Sequence, residues 1–304
     1  KILMRAKKRG KSINLFLMDG TVTGRVKGSM ANWTGIAYKI PRTMLEESRS
    51  REDLKQSGVY FLFGEDDETG ENVVYIGQAG SRKNGEGVLN RLFEHKRDPE
   101  KDYWNEAVVF TTSNNSFGPT EISYLENRFC NIAIDAKRYQ VKNGNDPRIG
   151  NVTEEKESEL EEYIDYAKIL MGAMGHKVFE PYNIHDSSED ENQVIDKIEG
   201  EPILYLKRKD ADATGKRTSE GFVIFKDSRI TSDVTKTCPR SAITKRKAFR
   251  DRGDLNAENI IVEDILMSSP SAAAAFVGGA SLNGKDVWET SAGLTLNDLE
   301  KQEK

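Results

Sequence analysis

Four side chains in the first half of the chain have the types and order that phosphodiester chemistry asks for. Tyr60 and Tyr75 each sit in a short run rich in Val, Tyr and Phe, G-V-Y-F-L-F and V-V-Y-I-G. Arg91 and His95 follow four residues apart in R-L-F-E-H, a spacing that puts a guanidinium and an imidazole on one side of a helix. Two glutamates, Glu121 and Glu126, come later. Together these groups offer a proton acceptor, a phosphate clamp and a metal ligand. A guanidinium grips a phosphate through two parallel N–H groups, which lysine does not reproduce. Mg²⁺ needs only one or two carboxylates, its remaining positions being filled by water and substrate oxygens, so a single glutamate suffices. A phenol is a weak base at its ordinary pKa of ~10, and a nearby cation must lower it; His95, whose ordinary pKa lies nearer neutrality, is the rival acceptor.

The elements that must position these groups are legible from pattern. The two tyrosine runs flank an acidic, Gly-containing segment and read as an antiparallel hairpin. Val88, Leu89, Leu92 and Phe93 mark the apolar face of a helix that carries Arg91 and His95. The loop before it, residues 78–87, holds three glycines and the cations Arg82 and Lys83, and glycine lets a backbone approach a phosphate closely. A V-V-F strand spans residues 106–112, and Pro119 opens a second helix whose apolar face is Ile122, Leu125, Phe129, Ile132 and Ala133. Glu121 and Glu126 flank that face on opposite sides, and periodicity does not choose between them.

The ordered set of G-V-Y, Y-I-G, a helix arginine and a glutamate in Y-L-E on a later helix resembles the GIY-YIG nuclease superfamily over residues 57–145. The resemblance implies an α+β fold built on a small three-stranded antiparallel sheet flanked by helices. It implies Tyr60 as the base with Tyr75 positioning water or phosphate, Arg91 on the phosphate, and Glu126 rather than Glu121 on a divalent metal, Mg²⁺ or Mn²⁺. The family's asparagine after the metal helix falls on Asn145 or Asn143 ahead of Asn151. Residues 81–87 lengthen the connection between Y-I-G and the arginine relative to the tight form of the motif.

The chain has 304 residues and a formal charge of −5, which looks wrong for a protein that handles nucleic acid. The acid is concentrated: residues 152–201 carry 15 acidic and 4 basic side chains, leaving the rest at +6. Residues 1–50 read as a β-rich lead-in with a basic start, 51–152 as the nuclease-like domain, 153–202 as an acidic amphipathic helix and linker, and 203–304 as a second small α+β domain. The helix, residues 154–174, is expected to pack on the nuclease-like domain, with pairing into a homodimer as its other use. No apolar run approaches the ~18 residues of a membrane span, the opening K-I-L-M-R-A-K-K-R-G-K holds no apolar signal core, and the expectation is a cytoplasmic protein with no membrane partner. Cys130 and Cys238 stand apart from each other and from the three histidines, so neither a zinc spacing nor a disulfide framework is present.

The closing S-P-S-A-A-A-A-F-V-G-G pattern resembles a small accessory domain of poorly defined function found behind nucleases of this superfamily and related to modules that accompany DNA methylases; the likeness covers residues 221–299. Within it, residues 239–252 hold six basic side chains and one acid, and Arg240, Lys245, Arg246, Lys247 and Arg250 are candidate phosphate contacts. The leading expectation is a metal-dependent endonuclease, DNA favoured, with this domain assisting substrate binding. The alternatives are a non-catalytic nucleic-acid-binding or partner-regulated module, and an RNA endonuclease.

Overall fold

The computed structural model describes residues 10–66, 71–80, 87–144, 147, 149–182 and 201–302. The chain divides into two compact units, residues 1–181 and 182–304.

Strand β4 (Gly58–Glu65) is the spine of the first unit. Its seven leading residues are all buried, because both faces of the sheet are covered, and a strand covered twice reads as a continuous apolar run rather than an alternating one. Val59, Phe61 and Phe63 point into a core shared with α2 (Pro119–Ala136) and α3 (Glu154–Ala173). Tyr60 and Leu62 point the other way, into a core closed by Leu89, Leu92 and Phe93 of α1 (Val88–Arg97). β5 (Asn72–Ala79) pairs with one edge of β4 and β6 (Trp104–Thr112) with the other, both antiparallel.

The expected three-stranded sheet is therefore present as a subset of something larger. The sheet has seven strands in the order β1-β2-β3-β6-β4-β5-β7, adding β1 (Ile13–Leu17), β2 (Val26–Met30), β3 (Gly35–Pro41) and β7 (Gln140–Val141). The correction has a plain cause. The free edge of β6 needs backbone partners, and β3 supplies them over seven residues from Gly35 opposite Thr112 to Pro41 opposite Glu106. Residues read as a lead-in are thus part of the same sheet. β1 and β2 pair antiparallel, and the return strand starts at Val26, because Asp19 accepts from the Arg25 backbone and guanidinium and closes the loop between them.

Helix α3 packs on β2 and β3, with Leu160, Ile164, Ala167, Leu170 and Met171 in the core and Thr153 as its N-cap. The second unit is a four-stranded antiparallel sheet in the order β11-β10-β9-β8, from β8 (Leu204–Arg208), β9 (Ala211–Thr218), β10 (Gly221–Ile224) and β11 (Ile265–Met267). Against it pack α5 (Pro270–Gly278) and Trp288, flanked by α4 (Arg240–Arg252), α6 (Gly284–Val287) and α7 (Leu296–Gln302). Among the described residues there are seven α-helices and two sheets, and no helix is long and apolar enough to cross a membrane.

Candidate active site

Register places the two tyrosines together. Tyr60 lies opposite Gly77 and Tyr75 opposite Leu62, so both side chains stand on the α1 face, one diagonal apart, with ring centroids 6.3 Å from each other. The glycine of Y-I-G is required there: a Cβ on Gly77 would stand 2.3 Å from the Tyr60 hydroxyl. Tyr60 lies across that gap and is 1% exposed.

Helix α1 closes the site from above. Its start is anchored where the Val88 N–H donates to the Gln56 carbonyl at 3.0 Å, and Gly87 passes so close to Lys55 and Gln56 that a Cβ would meet their backbone at 2.2 Å. His95 is 3% exposed, its Nε2 is 2.7 Å from the Tyr60 hydroxyl, and its ring meets that of Tyr75 edge-on at 5.4 Å. One turn earlier, the Arg91 guanidinium donates to Glu94 at 2.5 Å and borders an open cavity of about 290 Å³ with Gln78, Gly80, Gly87 and Asn90.

The two glutamates separate by hydrogen bonding. Glu121 accepts from the Gly118 N–H at 3.0 Å and so caps its own helix. Glu126 instead accepts from the Gln78 side chain at 2.8 Å, and Gln78 also donates to Ser123 at 3.2 Å. Gln78 follows Y-I-G directly, points to the α2 face of β5 and ties the end of that strand to α2, and the Glu126 carboxylate held there acts on the two phenols by charge, raising both Tyr75 and Tyr60. Asn143 is used structurally: its side chain donates to the Ile76 carbonyl at 2.7 Å and accepts from the Ile76 N–H at 3.0 Å, extending the edge of β5 as a strand would. Asn145, Arg82 and Lys83 lie outside the described residues.

Lys101, in the turn after α1, is a site residue that motif reading missed. Its ammonium sits over the Tyr75 ring at 3.4 Å from the centroid. The sequence D-P-E-K gives no periodic signal for it; only the fold brings it there.

The electrostatics follow from burial among cations. Burial pushes the Tyr60 phenol far above its usual range, the neighbouring Tyr75 adds to this, and Arg91 opposes it. Burial and then Glu126 raise Tyr75. His95 is brought down to about 4, first by burial and then by the positive charges of Lys101 and Arg91. Burial also lowers Lys101, with Arg91 as the second cause. For Arg91 burial works downward, but hydrogen bonding to Glu94 and Tyr60 outweighs it and holds the guanidinium charged. At neutral pH the centre is a neutral phenol hydrogen-bonded to a neutral imidazole, flanked by two cations. Burial raises Glu126, against the pull of Gln78 and Arg91. A carboxylate driven toward its neutral form in this way is one that a divalent cation would stabilise. Among the described residues, however, no group of three His, Cys, Asp or Glu side chains could hold a metal. The donor set fits a hydrated Mg²⁺ or Mn²⁺ completed by substrate oxygens, and does not fit an ion held by protein alone.

In the second unit the candidate phosphate contacts divide. Arg240 and Lys247 are exposed, and Arg250 donates to Asn259 at 2.7 Å. Arg246 is turned inward, 4% exposed, and its guanidinium donates to the carbonyls of Thr231, Phe276 and Val277 at 2.9, 2.8 and 3.1 Å. It fastens α4 to the C-terminal end of α5, whose last carbonyls have no helical partner, and does not face a ligand. The basic pattern of α4 could not reveal this, because one of its cations is spent on the fold.

A family model described as a domain of unknown function (DUF4357) matches residues 204–300, which is the second unit from β8 into α7. Comparison with curated proteins and with solved structures gave no match.

Proposed function

We propose that the first unit is a divalent-metal-dependent endonuclease that hydrolyses phosphodiester bonds, with DNA as the favoured substrate and Mg²⁺ or Mn²⁺ as the ion. The reading is carried by one observation: a buried Tyr60–His95 pair joined at 2.7 Å and flanked by Tyr75, Lys101 and Arg91, beside an open cavity. A structural role alone gives no reason to bury a neutral imidazole between cations without a carboxylate partner.

Each group then has one task. Arg91 releases Glu94 and takes the scissile phosphate through two N–H groups, also balancing the negative charge that builds up during attack. Tyr75 and Tyr60 orient the attacking water through their hydroxyls. A free tyrosinate is out of reach at neutral pH with the phenol pKa raised, so Tyr60 passes its proton to His95 Nε2 as it takes one from water, and never carries a full charge. His95 is neutral across the physiological range and so has a lone pair to offer, and a phosphate bound on Arg91 would offset the positive charge that otherwise opposes its protonation. Glu126 would hold the metal ion, whose chemistry is to stabilise the departing alkoxide. Gln78 holds that carboxylate in place.

Incubating the full chain with plasmid DNA and Mg²⁺ tests this. Wild type is expected to nick or linearise the plasmid, and Glu126→Gln to lose cutting while still binding DNA. Equal cutting by that variant would remove Glu126 from the metal, and a panel of single-stranded, double-stranded and RNA substrates separates DNA from RNA cleavage.

A further inference from the structure

We propose that the second unit carries a binding groove for a single nucleotide, formed between α4 and α5 and distinct from the tyrosine–arginine site. The groove has a volume of about 310 Å³, at the lower end of the range for small-molecule sites. Its floor is Ala242, Met267 and Ala275, all buried, and the alanines make the room: a larger side chain at either position would fill it. Its rim carries Ser241 and Ser281, both exposed, and Lys245, one helical turn from Ser241 on the same side of α4.

The ligand class follows from that lining. Lys245 is the only charged side chain among the lining residues, and no carboxylate accompanies it, so the complement is an anion. The apolar floor asks for a ring-sized apolar body; an inorganic anion would leave it in water, and a wholly apolar ligand would desolvate Lys245 without compensation. The hydroxyls of Ser241 and Ser281 hold no protein partner among the described residues and can both donate and accept, as base edges and sugar hydroxyls require. A phosphate joined to a planar heterocycle meets all three demands. Arg246 and Arg250 are engaged within the fold, and Arg240 and Lys247 lie on the opposite side of α4 from Ser241 and Lys245, so the phosphate falls to Lys245. The occupant is thus a single nucleotide, base in the groove and phosphate on Lys245. The inference shares with the nuclease reading only the substrate class and needs none of its catalytic groups.

The test is an amide NMR titration of the full chain with three separate probes: a 5′-mononucleotide, a single-stranded tetranucleotide, and inorganic phosphate. Saturable shifts centred on Ser241, Ala242, Lys245, Ala275 and Ser281 are expected with the mononucleotide, binding within about threefold of that with the tetranucleotide, and binding at least about tenfold weaker with phosphate. Lys245→Gln should weaken the mononucleotide about tenfold. Ser281→Trp, at an exposed rim position, should block the groove without altering the melting temperature. Unmoved amides at millimolar mononucleotide, phosphate binding as tightly as nucleotide, or wild-type affinity in both variants would overturn the assignment. A mononucleotide has no internucleotide bond to cut, so failure here and failure of cleavage are separate results.

Discussion

His95 and His176 lie on opposite faces of the seven-stranded sheet, both packed beside β4, and their surroundings differ in kind. His176 stacks flat on Phe63 at 3.7 Å and its Nε2 meets the Glu106 carboxylate at 2.6 Å, with Lys39 on the other oxygen of that carboxylate at 3.7 Å. One carboxylate there serves both the imidazole and Lys39, and the arrangement serves packing. His95 has a phenol instead of a carboxylate, and the charges that weigh most on it, ahead of Asp98 and Glu94, are Lys101 and Arg91, both of its own sign when protonated. The first environment gives the ring a carboxylate partner; the second opposes its protonation. The contrast teaches that burial of an imidazole says little, while the sign of the charges around it says what it is for.

That contrast can be broken in graded steps. The largest effect belongs to the face that carries His176: Phe61→Ala, which empties a fully buried position ringed by Phe110, Phe129 and Phe179, should cost about 3–5 kcal/mol and lower activity only in step with the folded fraction, read by denaturant titration. Next, His95→Ala takes from the buried Tyr60 hydroxyl its imidazole partner, at a cost of about 1–3 kcal/mol, and should abolish cleavage even where the protein is fully folded. The same residue sets a pH dependence. Its folded pKa of about 4 lies below its unfolded value, so the unfolded chain takes up the proton first. Its contribution to stability is therefore complete above pH ~6.5 and declines as the pH falls toward 4. Melting curves of wild type and His95→Gln across that window should converge as the pH drops.

A smaller step sharpens the comparison. Lys101→Met removes one of the two cations that hold His95 neutral, so an imidazole titration by NMR should show the His95 pKa rising, and the acid limb of the pH–rate profile should move up with it. The smallest effect is expected from Glu94→Gln, which frees Arg91 from a partly exposed ion pair of about 0–1 kcal/mol and should tighten DNA binding by no more than a few-fold in a filter-binding assay.

The local pattern of the chain was readable where a segment's own side chains enter a core. The run G-V-Y-F-L-F, the Leu89/Leu92/Phe93 stripe and the spacing through α3 each led to the element found, because each is a segment whose own side chains face a core. What escaped was set by distant partners. β3 joins β6 across some seventy residues of chain, and nothing local in I-A-Y-K-I says that it completes this sheet rather than a separate one. β9 reads A-D-A-T-G-K-R-T, too polar to announce a strand, and is held by β8 and β10 on either side. In the site, the pairing of Tyr60 with His95 follows from strand register and helix phase, whereas the separation of Glu126 from Glu121 needed hydrogen bonds: one carboxylate is spent on a cap and the other is held by Gln78. Arg246 shows the reverse error, a cation whose charge suggested a ligand while its geometry serves three backbone carbonyls.

The central claim is that Arg91, with the Tyr60–His95 pair beneath it, works on a phosphodiester. Cleavage of supercoiled plasmid with Mg²⁺ by wild type and by Arg91→Lys, with DNA binding measured in parallel, tests it most directly. The account predicts that wild type cuts and that Arg91→Lys, which keeps the charge but loses the two-pronged grip, binds DNA and cuts at least about 100-fold more slowly. Cutting by Arg91→Lys at the wild-type rate, or no cutting of DNA or RNA by wild type with either Mg²⁺ or Mn²⁺, would contradict it.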